Sequence, residues 1–182
     1  MAPVAVEARC NMEMAAMNAW DFLFIRTAIP ELEIIGRLVF SLFFGGVIGF
    51  DREVKNRPAG LRTHMLVALA ASIFSITTLE IIADLEKSGR AADPLRAIEA
   101  VTAGVAFLAA GTIIQSRAQI SGLTTGASMW LAGAVGVACG FGFFTIAVLA
   151  TCLALIVLVG LQRLSEKINP SAAPAAESKV KP

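Results

Sequence analysis

The chain alternates between long apolar segments and short polar connections, and this alternation predicts its architecture. Several apolar runs approach the length of about 20 residues that a helix needs to cross a bilayer. The runs are continuous, whereas the strands of a membrane barrel alternate between apolar and polar residues, so we interpret the runs as helices. The five predicted spans cover residues 33–50, 65–83, 95–114, 123–140 and 141–161.

The amino-acid composition also indicates a helical membrane protein. Hydrophobic residues make up 57% of the 182 residues, and the mean hydropathy is +0.74. A soluble fold of this length would need a polar surface that the chain does not supply. The expected fold is therefore all-α, a polytopic membrane protein with about five transmembrane helices in the lipid bilayer. The net charge of +1 gives no support for a nucleic-acid partner.

The densest charge in the chain lies in the polar connection between the first two spans, residues 50–65. It holds four cations, two acids and the only histidine. Pro58 and Gly60 predict a tight turn, and Thr63 is a candidate cap for the second span. The residues that we assign to this candidate cytoplasmic motif are Asp51, Arg52, Glu53, Arg57, Pro58, Gly60, Arg62, Thr63 and His64.

The polar connection has two interpretations. In the first, its cations contact lipid phosphates at an anionic membrane surface. In the second, residues 51–53 pair with Arg57 or Arg62 and build a rigid knob that a partner recognises. His64 either titrates near neutral pH or only hydrogen-bonds at the start of the helix.

Small residues recur at helical spacing in several spans. Gly45 and Gly49 form a G-x-x-x-G step, and glycines recur every seven residues along the fourth span. Both spacings place small side chains on one helix face, which lets another helix approach closely. We expect the fourth span to be the central, most closely packed helix. The glycines assigned to helix packing are Gly45, Gly49, Gly104, Gly111, Gly126, Gly133, Gly136 and Gly140.

The two ends of the chain differ from the spans. Residues 12–29 are interrupted by charges, and we expect an amphipathic helix in the membrane interface. Residues 163–182 begin basic and are then rich in Ala, Ser and Pro, which is typical of disorder. The expected organisation is an N-terminal extension over 1–32, a five-helix transmembrane domain over 33–162 and a disordered cytoplasmic tail over 163–182.

Candidate chemistry is sparse. Cys10, Cys139 and Cys152 share no spacing typical of a disulfide framework or a zinc site. Cys139 and Cys152 lie in apolar runs, so we expect small buried side chains there. Neither a nucleophile–base pair nor a set of metal ligands is visible. We therefore expect no enzymatic activity, no cofactor and no metal site.

Cations are distributed unequally between the two faces that five spans define. The face with the first loop, the third loop and the C-terminus holds nine cations, and the other holds six. The positive-inside rule places the nine-cation face in the cytoplasm. The expected location is the bacterial inner membrane, with the N-terminus periplasmic and the C-terminus cytoplasmic.

The blocks 45–53 and 57–64 resemble the MgtC/SapB family of bacterial inner-membrane proteins. Asp93-Pro94, the small-residue block 104–111 and the block 122–130 agree with the same family. Three positions depart from it. Ala106 and Ala109 stand where the family usually has Gly, and Asp51 stands where it usually has Glu. Many members also carry a cytoplasmic regulatory domain after the fifth span, and we expect no ligand sensing by such a domain here.

The resemblance implies a five-helix protein with its N-terminus outside, linked to growth under magnesium limitation and to survival of pathogens in macrophages. It also implies restraint of the F-type ATP synthase. We therefore expect a non-enzymatic regulator that docks through its glycine faces on a membrane complex, such as the ATP synthase or an ion transporter, or on a second copy of itself. The alternative is a transporter or channel for magnesium or another cation.

Overall fold

Helices form almost all of the described structure. The computed structural model of the chain describes residues 27–91, 93–116 and 119–161. The helices are α1 Glu31–Val54, α2 Leu61–Lys87, α3 Leu95–Gly111, α4 Leu123–Gly140 and α5 Phe144–Leu155, which continues as a π-helix over Ile156–Leu161. The predicted all-α membrane fold is confirmed.

The third connection is more ordered than the polar loop that the sequence predicts. Strands β1 Ile114–Ser116 and β2 Gln119–Ser121 pair antiparallel, with Ile114 opposite Ser121. Gly122 follows with a φ of 88°, and a side chain there would overlap the carbonyl of Thr112. Only glycine fits this position, because it tolerates a positive φ and leaves room for the end of α3. The hairpin thus sets α4 directly beside α3.

The helices differ in their capacity to span a membrane. By length and composition, α1, α2 and α4 are long and apolar enough to cross, and residues 144–160 form a shorter apolar helix. Helix α3 has 17 residues, or about 26 Å at 1.5 Å per residue. It begins at Leu95 as predicted, and Asp93 Oδ1 accepts a hydrogen bond from the Leu95 N–H at 2.9 Å.

Helix α4 is the centre of the bundle, as predicted. It contacts each of the other four helices. In the most apolar 18-residue segment of α4, 56% of the segment is buried. The corresponding share is 33% in α1 and 33% in α2. One apolar cluster joins α4 to α1 and α5 through Ile48, Val135 and Ala147, and a second joins it to α2 and α3 through Val67 and Val105.

Four of the predicted packing glycines bring α1 and α4 onto α2. A methyl at Gly45 would lie 2.8 Å from the His64 carbonyl oxygen, and one at Gly49 would lie 2.8 Å from the Cα of Leu61. On α4, a methyl at Gly136 would overlap the carbonyl of Ala68, and one at Gly140 would lie 2.6 Å from the Ser72 carbonyl oxygen. Backbone contact this close requires glycine.

The other four packing glycines lie between α3 and α4 or on the outside of α3. A methyl at Gly126 would lie 3.1 Å from the Ala109 carbonyl oxygen, and one at Gly133 would lie 2.9 Å from Val105 Cγ2. Gly104 and Gly111 have nothing within 4 Å of the position of a Cβ. Within this protomer, therefore, these two α3 glycines do not mediate the close packing that the sequence predicts.

One side of helix α5 is buried, and the other side is exposed. Ala147, Thr151 and Ala154 are buried, whereas Leu149 and Leu153 are exposed. The short turn over 141–143 joins α4 to α5. Of the two cysteines in these helices, Cys139 is buried as expected. The expectation for Cys152 is wrong, because its side chain is exposed.

Both terminal predictions fall largely outside the described residues. The interfacial helix over 12–29 overlaps the described part only at 27–29, which are not helical. The carboxylate of Glu80 on α2 accepts hydrogen bonds from the backbone N–H groups of Ala28 and Ile29. The tail over 163–182 lies outside the described range.

Candidate functional site: the polar end of the bundle

The polar end of the bundle consists of the last turns of α1, the connection over 55–60, and the first turns of α2 and α4. Glu53 on α1 caps α2, because its Oε2 accepts a hydrogen bond from the Leu61 N–H at 2.9 Å. A side chain at Gly60 would overlap that carboxylate. The helix begins at Leu61, so the predicted capping role of Thr63, its third residue, is wrong. The capping acid comes from the preceding helix.

Asp51 and Lys55 form an ion pair on the outer side of α1. Lys55 Nζ lies 2.7 Å from Asp51 Oδ1, and both side chains are mostly buried. The same ammonium lies 3.4 Å from the Leu158 carbonyl oxygen in the π-helix. Lys55 therefore connects the end of α1 to the end of α5.

Arg52 points into the bundle. It is 4% exposed, and its Nη2 donates a 2.9 Å hydrogen bond to Thr125 Oγ1 in the first turn of α4. Its Nε has no hydrogen-bond partner in the described structure. Arg52 thus places a buried positive charge against the start of α4.

His64 lies next to Arg52 and is fully buried. Its Nδ1 is 2.8 Å from the Gly60 carbonyl oxygen, and its Nε2 is 3.0 Å from Ser128 Oγ. A carbonyl only accepts, so Nδ1 carries a proton and donates it to Gly60. Ser128 Oγ also lies 2.9 Å from the Thr125 carbonyl oxygen. The prediction that His64 hydrogen-bonds at the helix start is confirmed, and its second nitrogen joins α2 to α4. We call Arg52, His64, Thr125 and Ser128 the Arg52–His64 cluster.

The predicted motif is therefore divided by the fold. Arg52 and His64 are buried, whereas Glu53, Arg57, Pro58 and Arg62 are exposed. The predicted pairing of residues 51–53 with Arg57 or Arg62 is wrong in the described structure, where Asp51 pairs with Lys55, Arg52 bonds to Thr125 and Glu53 caps α2. The buried residues of the motif hold α1, α2 and α4 together, and the exposed residues include cations that face outward.

A second buried arginine lies at the opposite end of α1, and sequence reasoning missed it. Arg37 is 8% exposed. Its Nη1 donates a 2.6 Å hydrogen bond to the Gly140 carbonyl at the end of α4, and its Nη2 pairs with Glu33 at 2.6 Å. Gly142, at a φ of 84°, leaves room for the guanidinium. The available signal was a 15-residue separation from Arg52, about four turns, which places both arginines near one helix face.

Helix α3 presents an exposed apolar face, which borders the groove between α2 and α3. Phe107 is 80% exposed and Leu108 is 50% exposed. Gly104 and Gly111 leave shallow openings beside them, because no described atom outside the neighbouring backbone of α3 lies within 4 Å of a Cβ placed at either glycine. Only Val105 and Ala109 of this helix are buried in the protomer.

The chemistry of the site is cationic and structural. Among the described residues, no group of three or more His, Cys, Asp or Glu side chains could hold a metal ion. In the same part, Arg37 and Arg52 are buried as whole residues, and Asp51 and Lys55 form a mostly buried ion pair. The interior is therefore built to hold positive side chains by hydrogen bonds.

Comparison with known proteins places the chain among bacterial relatives. The family model described as the MgtC family matches residues 38–167. Protein SrpB of Synechococcus elongatus is 36% identical over 148 residues, covering 75% of this chain and 80% of SrpB. The protein named putative magnesium transporter YhiD of Escherichia coli K12 is 33% identical, covering 75% of this chain and 64% of YhiD.

Protein MgtC of Salmonella typhimurium is 33% identical over 132 residues, covering 72% of this chain and 54% of MgtC. The chain thus spans less than two thirds of YhiD and about half of MgtC. No solved structure matches the chain.

Proposed function

Because the chain belongs to the MgtC family, we propose that it is a non-enzymatic regulatory protein of the bacterial inner membrane. It acts by binding a membrane ion-translocating complex such as the F-type ATP synthase, under magnesium limitation. The polar end faces the cytoplasm, since the cation count favours that orientation. Helix α3 supplies the docking surface.

The observation that carries this proposal is the unequal use of the small-residue faces. Gly45 and Gly49 on α1 and the four packing glycines on α4 contact neighbouring helices inside the protomer, whereas Gly104 and Gly111 on α3 are open. Phe107 projects beside them and is 80% exposed. The Phe107 ring and the open space at the two glycines can pack against a partner helix. Such van der Waals packing drives helix association in lipid.

The buried charges favour regulation over cation transport. The name of the Escherichia coli relative includes magnesium transport, so a cation pathway is the second candidate. Magnesium is bound by oxygen ligands, mostly carboxylates. In the described helices, however, the charged residues that are buried as whole residues are two arginines, one near each end of α1, and the mostly buried carboxylate of Asp51 is paired with Lys55. Positive charges in a low-dielectric interior repel a divalent cation strongly.

Replacing Gly104 by Leu is expected to abolish partner capture without unfolding the protein. The added side chain fills open space on α3 and separates a docked helix from it. Tagged protein should retain the ATP synthase from detergent-solubilised native membranes, and G104L should retain at least about tenfold less, a loss of about 1.4 kcal/mol.

The matched control is Gly36→Leu, because Gly36 lies on α1 and also has nothing within 4 Å. G36L should capture the ATP synthase as the wild type does. Equal capture by G104L and G36L would refute the α3 docking surface. Magnesium uptake into proteoliposomes that contain this protein alone would refute the regulatory proposal in favour of transport.

A further inference from the structure

The first turn of α4 has no capping side chain. Its N-cap residue is Gly122, which has no side chain that could accept a hydrogen bond from the first N–H groups. Leu123 and Thr124 are exposed. The first N–H groups of a helix have no partner inside the helix and form its positive pole. This turn therefore presents hydrogen-bond donors and partial positive charge at the polar end.

Arg52 adds a full positive charge immediately behind that turn. Its guanidinium bonds to Thr125, the third residue of α4, and its Nε is buried without a partner. Of the carboxylates nearest in sequence, Glu53 caps α2, and Asp51 pairs with Lys55 through its Oδ1 while its Oδ2 is buried without a hydrogen-bond partner. No ion pair of the described residues includes Arg52. The carboxylate of Asp51 offsets this charge in part, and a further anion in front of the positive helix pole would be stabilised by the helix and the arginine together.

An apolar groove begins at the same turn. It lies between α4 and α5, has a volume of about 460 Å³ and is lined by Thr124, Ala127, Leu131, Leu153 and Val157 among others. From Thr124 to Leu131 it follows α4 for about 10 Å at 1.5 Å per residue. Leu158 also lines it, and the Leu158 carbonyl lies near the ammonium of Lys55.

We propose that this groove and the first turn of α4 form a binding site for an anionic phospholipid. The phosphate lies on the exposed amides of the α4 start, in front of Arg52, and one acyl chain occupies the groove. Charge complementarity selects this occupant, because a helix N-terminus backed by an arginine binds phosphate. The groove between α2 and α3, lined by Ala70, Phe74 and Gly104 among others, has only apolar lining residues and lacks such a headgroup site.

The test uses the full chain, purified in detergent and mixed with equal amounts of phosphatidylglycerol and phosphatidylethanolamine that carry the same acyl chains. Native mass spectrometry measures which lipid stays bound. The wild type should retain phosphatidylglycerol about tenfold more than phosphatidylethanolamine. Arg52→Gln should lower that ratio to within about twofold, and Arg52→Lys should keep most of it, because the charge is the determinant.

A second pair of variants tests whether an acyl chain occupies the groove. This test is valid even if R52Q does not fold. Ala127→Phe fills the groove from an exposed position, and Ala70→Phe makes the same change in the groove between α2 and α3. A127F should lose bound phosphatidylglycerol, and A70F should not. Circular dichroism and gel filtration check that each variant is folded.

Three results would overturn the proposal. One is equal retention of the two lipids by the wild type. Another is an unchanged preference in a folded R52Q. The third combines two observations: A127F binds as much phosphatidylglycerol as the wild type, and inorganic phosphate alone displaces the bound lipid. The site would then bind a free anion and not a lipid.

Discussion

Replacing Gly136 by Leu is expected to prevent the protein from reaching its folded state. A single methyl at this position would already overlap the carbonyl of Ala68 on α2. Neither backbone can move without separating α4 from the helices that surround it, since α4 contacts all of them. The free energy of unfolding should fall by at least about 3 kcal/mol, the upper end of the usual cost of overpacking.

The measurement is unfolding in mixed micelles, with helicity followed by circular dichroism as the fraction of denaturing detergent rises. Gly104→Leu is the control, because it adds the same atoms to open space on α3. Its unfolding curve should match that of the wild type. A G136L curve that also overlays the wild type would show that α2 and α4 are not in backbone contact.

Replacing Arg37 by Met should have the second largest effect. The two side chains have similar length, but Met leaves the Gly140 carbonyl and the Glu33 carboxylate without the guanidinium that both contact at 2.6 Å. Leaving the buried Gly140 carbonyl without a partner should cost about 2 kcal/mol, whereas the Glu33 side chain is 47% exposed and remains partly solvated. The end of α4 and its turn into α5 should open first, because Gly142 also packs on this guanidinium.

Lys87→Met provides the matched control. It also replaces a paired cation by Met, but the Lys87–Asp84 pair is 70% and 81% exposed, and such pairs contribute at most about 1 kcal/mol. Hydrogen exchange at residues 137–143 should accelerate in R37M and not in K87M. Identical exchange and unfolding curves for R37M and the wild type would show that Arg37 does not cap α4.

The fold was largely predictable because hydrophobic length alone determines where a membrane helix lies. The bounds of α4, Leu123 to Gly140, coincide with the prediction. Helices α1 and α2 extend beyond theirs because the prediction stopped at the first charged residues. Arg52 and His64 continue the helices, since their polar atoms bond to α4 in the interior. Hydropathy contains no information about such distant partners.

The location of the candidate site was predictable from the sequence, but the hydrogen-bond partners of its residues were not. The motif over 51–64 was identified, yet the partner of Arg52 is Thr125, which lies 73 residues away. The seven-residue glycine spacing on α4 correctly predicted close packing. It did not reveal that Gly126 and Gly133 face α3 while Gly136 and Gly140 face α2. Spacing places residues on a helix surface, and only the bundle determines which neighbour each one meets.

These contacts change the expected role of the glycine faces. The sequence predicts docking through the glycine faces, but the glycines of α4 are enclosed by α2 and α3. The exposed small residues belong to α3, whose Val105 and Ala109 alone are buried. We therefore infer that α1, α2 and α4 form a rigid core that is held by Arg37 at one end and by the Arg52–His64 cluster at the other, and that α3 contacts the partner.

Site-specific photo-crosslinking in growing, magnesium-limited cells tests this account most directly. A photoreactive amino acid replaces Phe107 on α3 or, separately, Leu149 on α5, which are 80% and 58% exposed. Mass spectrometry then identifies the crosslinked proteins. The account predicts that subunits of the ATP synthase are joined at position 107 and not at position 149. Crosslinks to the synthase at position 149 alone, or at neither position, would contradict it.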